Sequence, residues 1–400
     1  MKSGRPTRNS HLIAYAVIKF LSVLYTRLFL GYRCKDRYRI KKGERVVVLS
    51  NHQTDYDPFC IIPCFSRPIY PVATDNIFSG FLGKILRYLN VIPKKKGEVD
   101  VRTTVSMLET LRNGASVLLF PEGNRCYAEF QYYVSPSLAK FLKSTGATLV
   151  LFNIRGGSGV SPRFKHKNRR GRFYGEIRRV IPFEEYSQLD NGELNAIITD
   201  GIRVFDSDSG EKYKSAGRAE YLEKMLFVCP KCGGIQTLAS EKQFLRCGKC
   251  GLTVEYGEDL HLKSADGSFT FSRLVDWWDF QKKYMLELKP SPGETVFSDD
   301  GVKLFRTKRY EKKKLLASGR MTATDSSVSV GGFLLEFGKI SAPSVVSGGK
   351  LTFIYGEDDM MITGGERFNP LKYVFLFNKP RGASRRGKAD KYFGLEDIND

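Results

Sequence analysis

The β-branched, apolar run Arg45-Val46-Val47-Val48-Leu49-Ser50 reads as a short buried strand, and it breaks at once into Asn51-His52-Gln53-Thr54-Asp55-Tyr56-Asp57-Pro58. A histidine at the end of such a strand, with a carboxylate five positions on, has the parts of a general base and its orienter. Imidazole titrates near neutrality and can take a proton from a hydroxyl, while an aspartate fixes the tautomer. Five residues of regular helix would place the two side chains on different faces, so a turn must bring them together. Asp57 before Pro58 also suits a plain helix start, and alone the pair would decide nothing.

A second run, Ala115-Ser116-Val117-Leu118-Leu119-Phe120, ends in Pro121-Glu122-Gly123-Asn124-Arg125. Ligand sites of open α/β sheets lie beyond the carboxyl ends of the strands, so two polar clusters, each following an apolar strand, would share one rim. Gly123 permits a tight turn or a close approach to a ligand, and Arg125 offers a bidentate fork for phosphate. Glu122 is suited to bind a substrate hydroxyl.

Asn51-His52-x4-Asp57 followed by Phe120-Pro121-Glu122-Gly123-x-Arg125 resembles the PlsC-type 1-acylglycerol-3-phosphate acyltransferases of the glycerolipid family, over roughly residues 45–182. The resemblance implies a glycerolipid-acyltransferase-like α/β domain. It implies transfer of a fatty acyl group from a thioester, acyl-coenzyme A or acyl carrier protein, to the sn-2 hydroxyl of lysophosphatidic acid, giving phosphatidic acid. His52 would be the base and Asp57 its orienter, with Asn51, Glu122, Gly123 and Arg125 as substrate contacts. Where the family carries an arginine for the acceptor phosphate, this chain has Lys94-Lys95-Lys96, point charges rather than forks. No catalytic cofactor is implied.

The chain has 400 residues and a net charge of +21, which points to a negative partner surface. From Leu12 to Leu30 it is mostly apolar, yet Lys19 sits mid-segment, where a spanning helix would lose about 2.5–3.5 kcal/mol by burying the charge. An amphipathic helix in the membrane interface is expected over 1–40, anchored by Tyr15, Tyr25 and basic flanks; a core helix of the globular domain is the alternative. The catalytic domain is expected over 41–205. Its basic stretch between Arg155 and Arg179 suits anionic headgroups or an acidic acyl carrier. The expected site of action is the cytoplasmic face of a bacterial plasma membrane, peripheral or monotopic.

A polar linker is expected over 206–226. Beyond it, Cys229-Pro230-Lys231-Cys232-Gly233 and Cys247-Gly248-Lys249-Cys250-Gly251 have the spacing of a four-thiolate zinc ribbon over 227–256, with no open position and hence a structural ion. Cys34, Cys60, Cys64 and Cys126 lack such spacing and read as buried thiols. Over 257–380 a helix near Phe271–Leu286 precedes five strand-like runs, Tyr373–Phe377 the last, in a mostly-β module that resembles pleckstrin-like or GRAM-like domains. The tail, 381–400, is charged. A nucleic-acid-binding protein would account for the ribbon and the charge but not for the apolar helix or the Glu122 cluster, so nucleic acid is not the expected partner.

Overall fold

A computed structural model of the protein describes residues 9–78, 80–94, 101–127, 129, 134–165, 167–264, 267, 269–307, 312–346 and 349–382. The chain divides into two compact units, Met1–Arg163 with Lys167–Ser215, and Phe164–His166 with Ala216–Asp400.

The first unit runs α1 (Asn9–Leu30), β1 (Tyr32–Cys34), β2 (Val46–Ser50), α2 (Asp57–Ile61), β3 (Ile69–Thr74), α3 (Gly80–Tyr88), β4 (Ile92–Lys94), α4 (Val101–Arg112) and β5 (Ser116–Leu119). It continues through α5 (Ser137–Lys143), β6 (Thr148–Arg155), α6 (Gly157–Val160), β7 (Phe173–Ile181), α7 (Phe183–Tyr186) and α8 (Asn191–Gly201). Its strands form one sheet in the order β1-β7-β6-β2-β5-β3-β4. Every pairing is parallel except that of β6 with β7. All five residues of β2 are buried, which is why its sequence shows no polar alternation. Val47 and Leu49 pack with Met107 and Leu111 of α4, Leu142 of α5 and Ile198 of α8. Burying side chains of this size contributes about 1.5–3 kcal/mol each. Because β2 and β5 are parallel neighbours, with Leu49 opposite Leu119, the loops that follow them open on the same rim.

Helix α1 turns its polar stripe inward. His11, Tyr15, Ser22, Thr26 and Leu30 are buried, whereas Leu12, Ile13, Val17, Phe20, Leu24 and Phe29 are exposed. Tyr15 Oη donates to the Ile69 carbonyl (3.1 Å) and Lys19 Nζ to the Phe65 carbonyl (2.5 Å). His11 bonds through Nδ1 to the Tyr88 carbonyl (2.9 Å) and through Nε2 to the Tyr70 hydroxyl (3.0 Å). The apolar residues are therefore not the packing face, and α1 is not a core helix.

The second unit begins with a four-stranded antiparallel sheet of β8 (Leu238–Glu241), β9 (Phe244–Cys247), β10 (Thr253–Tyr256) and β11 (Leu262–Ser264), in the order β11-β10-β9-β8. Helix α9 (Leu274–Glu287) follows. Then come β12 (Phe297–Thr307), β13 (Lys314–Ala323), β14 (Ser327–Val330), β15 (Phe333–Glu336), β16 (Ile340–Val346), β17 (Lys350–Tyr355) and β18 (Asp358–Thr363). They form an antiparallel sheet ordered β15-β14-β13-β12-β18-β17-β16, two meanders joined at β12 and β18. Helix α10 (Pro370–Gly382) packs on β16 and β17.

Two sequence expectations fail here. Tyr373–Phe377 is helical and not a strand: Asn369 Oδ1 caps the amides of Leu371 (2.9 Å) and Lys372 (3.4 Å), and Pro370 suits a first helical position. Within the stretch 206–226, where the two units meet in sequence at Ser215 and Ala216, Asp206, Tyr213, Leu222 and Met225 are buried. Cys34 and Cys64 are not thiols: they are joined as a disulfide across a Cα–Cα distance of 6.1 Å. Cys60 and Cys126 are buried free cysteines. Of the charged tail, residues beyond 382 lie outside the described residues.

Candidate active site

His52 leaves the carboxyl end of β2, and its Nδ1 lies 2.9 Å from Asp57 Oδ2. The turn between them is built by Asp57 itself. Its fully buried carboxylate accepts from the amides of Gln53 (2.7 Å) and Thr54 (3.0 Å to Oδ2), and from Thr54 Oγ1 (2.5 Å to Oδ1). Helix α2 begins at Asp57, but the carboxylate points back into the preceding loop, so it is no helix cap. A charge buried this way persists only because several donors replace water. With Nδ1–H donating to Asp57, Nε2 carries the lone pair, and the side chain remains 23% exposed, open to a substrate. Phe120 stacks on the imidazole at 4.2 Å between centroids and fixes the ring plane.

Glu122 is buried, and it lines one pocket with His52, Gln53, Cys126 and Glu129. Gly123 sits at φ 65° and its amide donates to the Phe120 carbonyl (3.0 Å). That left-handed turn favours glycine and lifts Glu122 over the end of β5. Cys126 has its thiol pushed well above the usual range, first by burial and then by Glu122, and such a thiol is a poor nucleophile.

Two residues do other work than their motif positions imply. Arg125 is committed within the protein: Nε donates to the Gln53 carbonyl (2.9 Å), Nη1 to Asp55 Oδ2 (2.6 Å) and Nη2 to the Ser161 carbonyl (3.0 Å). It clamps the histidine loop. Asn51 is equally engaged. Its amide bridges the strand ends, Nδ2 to the Ile154 carbonyl and Ile154 N to Oδ1, both 2.8 Å, and Asn51 also lines the pocket. Lys94 ends β4 on the same rim as His52, because β4, β3, β5 and β2 run parallel. Lys95 and Lys96 lie outside the described residues.

Sequence reasoning passed over Gln53 and Thr54, although they lie inside the motif, and it missed Glu129, Ser158 and Asp206 altogether. Ser158 Oγ bridges Glu129 Oε1 (3.2 Å) and Asp206 Oδ2 (2.5 Å). No local pattern announces partners so far apart in the chain.

In the second unit the sulfurs of Cys229, Cys232, Cys247 and Cys250 lie within 4.8 Å of one another. Cys229–Cys250 and Cys232–Cys247 are 3.6 and 3.8 Å apart. A tetrahedral ion with metal–sulfur bonds of about 2.3 Å spaces its ligands about 3.8 Å apart, so the four thiols fit a metal ion. Each knuckle is closed by an amide-to-carbonyl bond, Gly233 to Cys229 (2.9 Å) and Gly251 to Cys247 (3.0 Å).

Comparison with known proteins bears on the first unit. No curated protein matches the chain. The crystal structure of the 1-acyl-sn-glycerophosphate (LPA) acyltransferase PlsC from Thermotoga maritima is similar over 50% of this chain and 80% of its own, at 18% identity and a TM-score of 0.42. Residues 32–153 match the family model described as Acyltransferase, and that one segment carries His52, Asp57, Glu122, Gly123 and Arg125. Over residues 32–153, which carry the His52–Asp57 pair and Glu122, the protein is similar to the acyltransferases.

Proposed function

We propose that the protein moves a fatty acyl group from an acyl thioester to the sn-2 hydroxyl of lysophosphatidic acid, giving phosphatidic acid. The observation that carries this reading is the His52–Asp57 pair, which lies in the acyltransferase-like segment, with His52 lining a pocket. The acceptor hydroxyl gives its proton to His52 Nε2 and attacks the thioester carbonyl. The carbon–oxygen bond forms, the carbon–sulfur bond breaks, and the leaving thiolate takes the proton from His52. Asp57 holds the tautomer that leaves Nε2 basic. No covalent enzyme intermediate is required. Lys94, with Lys95 and Lys96, supplies charge for the acceptor phosphate, while Arg125 holds the loop. The donor is acyl-coenzyme A or acyl carrier protein, and the basic residues on β7 and its flanks suit either.

The protein works at an anionic membrane surface. A helix that buries its polar stripe and exposes Phe20 (67%) and Phe29 (68%) suits an apolar medium on its outer face. His11–Leu30 is long and apolar enough to span a membrane, but the Lys19–Phe65 bond ties its middle to the protein body and supports an interfacial position. Either donor is a cytoplasmic thioester, which supports the cytoplasmic face. The Cys34–Cys64 bond pulls the other way, because disulfides are rare in reducing compartments. Zinc is the ion the four cysteines suit best, and when bound it holds the two knuckles together.

Purified protein given lysophosphatidic acid in mixed micelles, with each donor in turn, tests the reading. Phosphatidic acid should form with one of the donors. Acylation of a different lysolipid in its place would redirect the acceptor, and no transfer to any lysolipid would remove the reading.

A further inference from the structure

Glu129 and Asp206 are buried, and both press on one hydroxyl. Ser158 Oγ lies 3.2 Å from Glu129 Oε1 and 2.5 Å from Asp206 Oδ2. A serine has one hydroxyl hydrogen, so it can donate to only one carboxylate. The other contact is a hydrogen bond only if one of the two carboxyls is itself an acid and donates to Ser158. Among the described residues three amides also donate, Ser207 to Glu129 (2.9 Å), Gly156 to Asp206 (2.7 Å) and Ser158 to Asp206 (3.2 Å), and the Ser207 hydroxyl lies beside Glu129. Such a set can hold one buried negative charge, and a second would repel it at close range.

The pair also connects to the histidine loop. Asp206 accepts from both ends of the first turn of α6, and between those two amides the Gly157 amide donates to Gln53 Oε1 (2.9 Å). A Cβ on Gly157 would stand 2.6 Å from that oxygen, so the approach needs glycine. Gln53 in turn donates its amide to Asp57, and Asp57 holds His52. Glu129 lines the pocket beside His52.

We propose that Glu129 and Asp206 share one proton through Ser158, and that this singly charged pair is a positioning device which sets the α6 turn against Gln53 and so fixes the His52–Asp57 loop. The role in catalysis rests on the acyl-transfer reading above; the shared proton does not. Among the described residues, Cys126, Tyr213 and Arg155 act electrostatically on the pair, and Glu122 and His52 share the pocket with Glu129. Burial first, and then Asp206, raises the Glu129 carboxyl to about 7, and burial raises Asp206 as well. Since an ordinary glutamate ionises at about 4.3, the folded protein holds a proton that the unfolded chain has lost. Stability falls as pH rises across that window, and loss of the proton loosens the loop.

The test compares the wild type with Glu129→Gln, which keeps an acceptor for the Ser207 amide but cannot ionise. Unfolding temperature and kcat/KM are measured from pH 5.5 to 8.5, a range of about one and a half units either side of the Glu129 ionisation. In the wild type the unfolding temperature should decline from pH 5.5 to about 7 and then level off, while kcat/KM should fall beyond the ionisation by up to about tenfold per unit. In Glu129→Gln both declines should flatten. An unfolding profile unchanged by the substitution overturns the shared proton. A flattened unfolding profile with an unchanged rate profile overturns the positioning role. If the wild type transfers no acyl group, the acyl-transfer reading falls, and the unfolding arm still judges the shared proton. Should Glu129→Gln not fold, Ser158→Ala gives the same judgement. It should lower the unfolding temperature more at pH 6, where both contacts of the shared-proton bridge are hydrogen bonds, than at pH 8, and an equal loss at both would contradict the pair.

Discussion

Lys19, in the middle of an apolar helix, donates its ammonium to the main-chain carbonyl of Phe65 at 2.5 Å. The bond turns an apparent flaw in the helix into its attachment point. The charge faces the protein, and the apolar residues on the other side are left facing out.

That arrangement separates membrane affinity from folding. Phe20→Glu and Phe29→Glu act on exposed side chains, so the unfolding temperature should hardly move. Each removes about 1.5–3 kcal/mol of lipid burial, so sedimentation with anionic vesicles should weaken by about ten- to a hundredfold. Lys19→Met should do the reverse: it leaves the Phe65 carbonyl without this donor, costing about 1–3 kcal/mol of stability while vesicle binding is kept.

Asp57→Asn places an amide where Gln53, Thr54 and His52 all present hydrogens. The expected result is a fall of about 10²–10⁴ in kcat, with a smaller change in KM, since the substitution disturbs the tautomer and not the substrate contacts. Steady-state kinetics on the purified variant check it.

For Arg125 the geometry and the motif give opposite expectations. A phosphate contact would raise KM for the acceptor and spare stability. A clamp on Gln53, Asp55 and Ser161 predicts that Arg125→Ala lowers kcat and the unfolding temperature together, with about 1–3 kcal/mol lost as buried carbonyls lose a charged donor. Thermal unfolding alongside the kinetics separates the two.

The four-cysteine site predicts one metal ion per chain. Elemental analysis should find one equivalent of zinc in the wild type and a large loss in Cys232→Ser, because closed thiolate sites lose most of their affinity with one ligand. Chelation should expose thiols to labelling at these cysteines.

What could be read in the chain, and what could not, follows from the range of the interactions. Strands β2 and β5, helix α4 and the two cysteine knuckles are written in short windows, where burial on both faces, helical spacing or ligand spacing leaves a local mark. The His52–Asp57 turn is also local, and Asp57 builds it from the next amides along. Partners remote in sequence leave none: Lys19 meets a carbonyl 46 positions away, Arg125 reaches 72 positions back to Gln53, and Ser207 reaches 78 back to Glu129. The Cys34–Cys64 bond, 30 positions long, is hidden for the same reason. Tyr373–Phe377 misled because a short run that is apolar on every side fits a buried strand and a buried helix alike; Asn369 and Pro370 decided it.

The central claim is that His52 is the base of an acyl transfer. The most direct test is the rate of labelled acyl transfer to lysophosphatidic acid by the wild type and by His52→Ala, both folded and metal-loaded. The account predicts a loss of at least about 10²–10⁴-fold in the variant. Equal rates in the two proteins would contradict it.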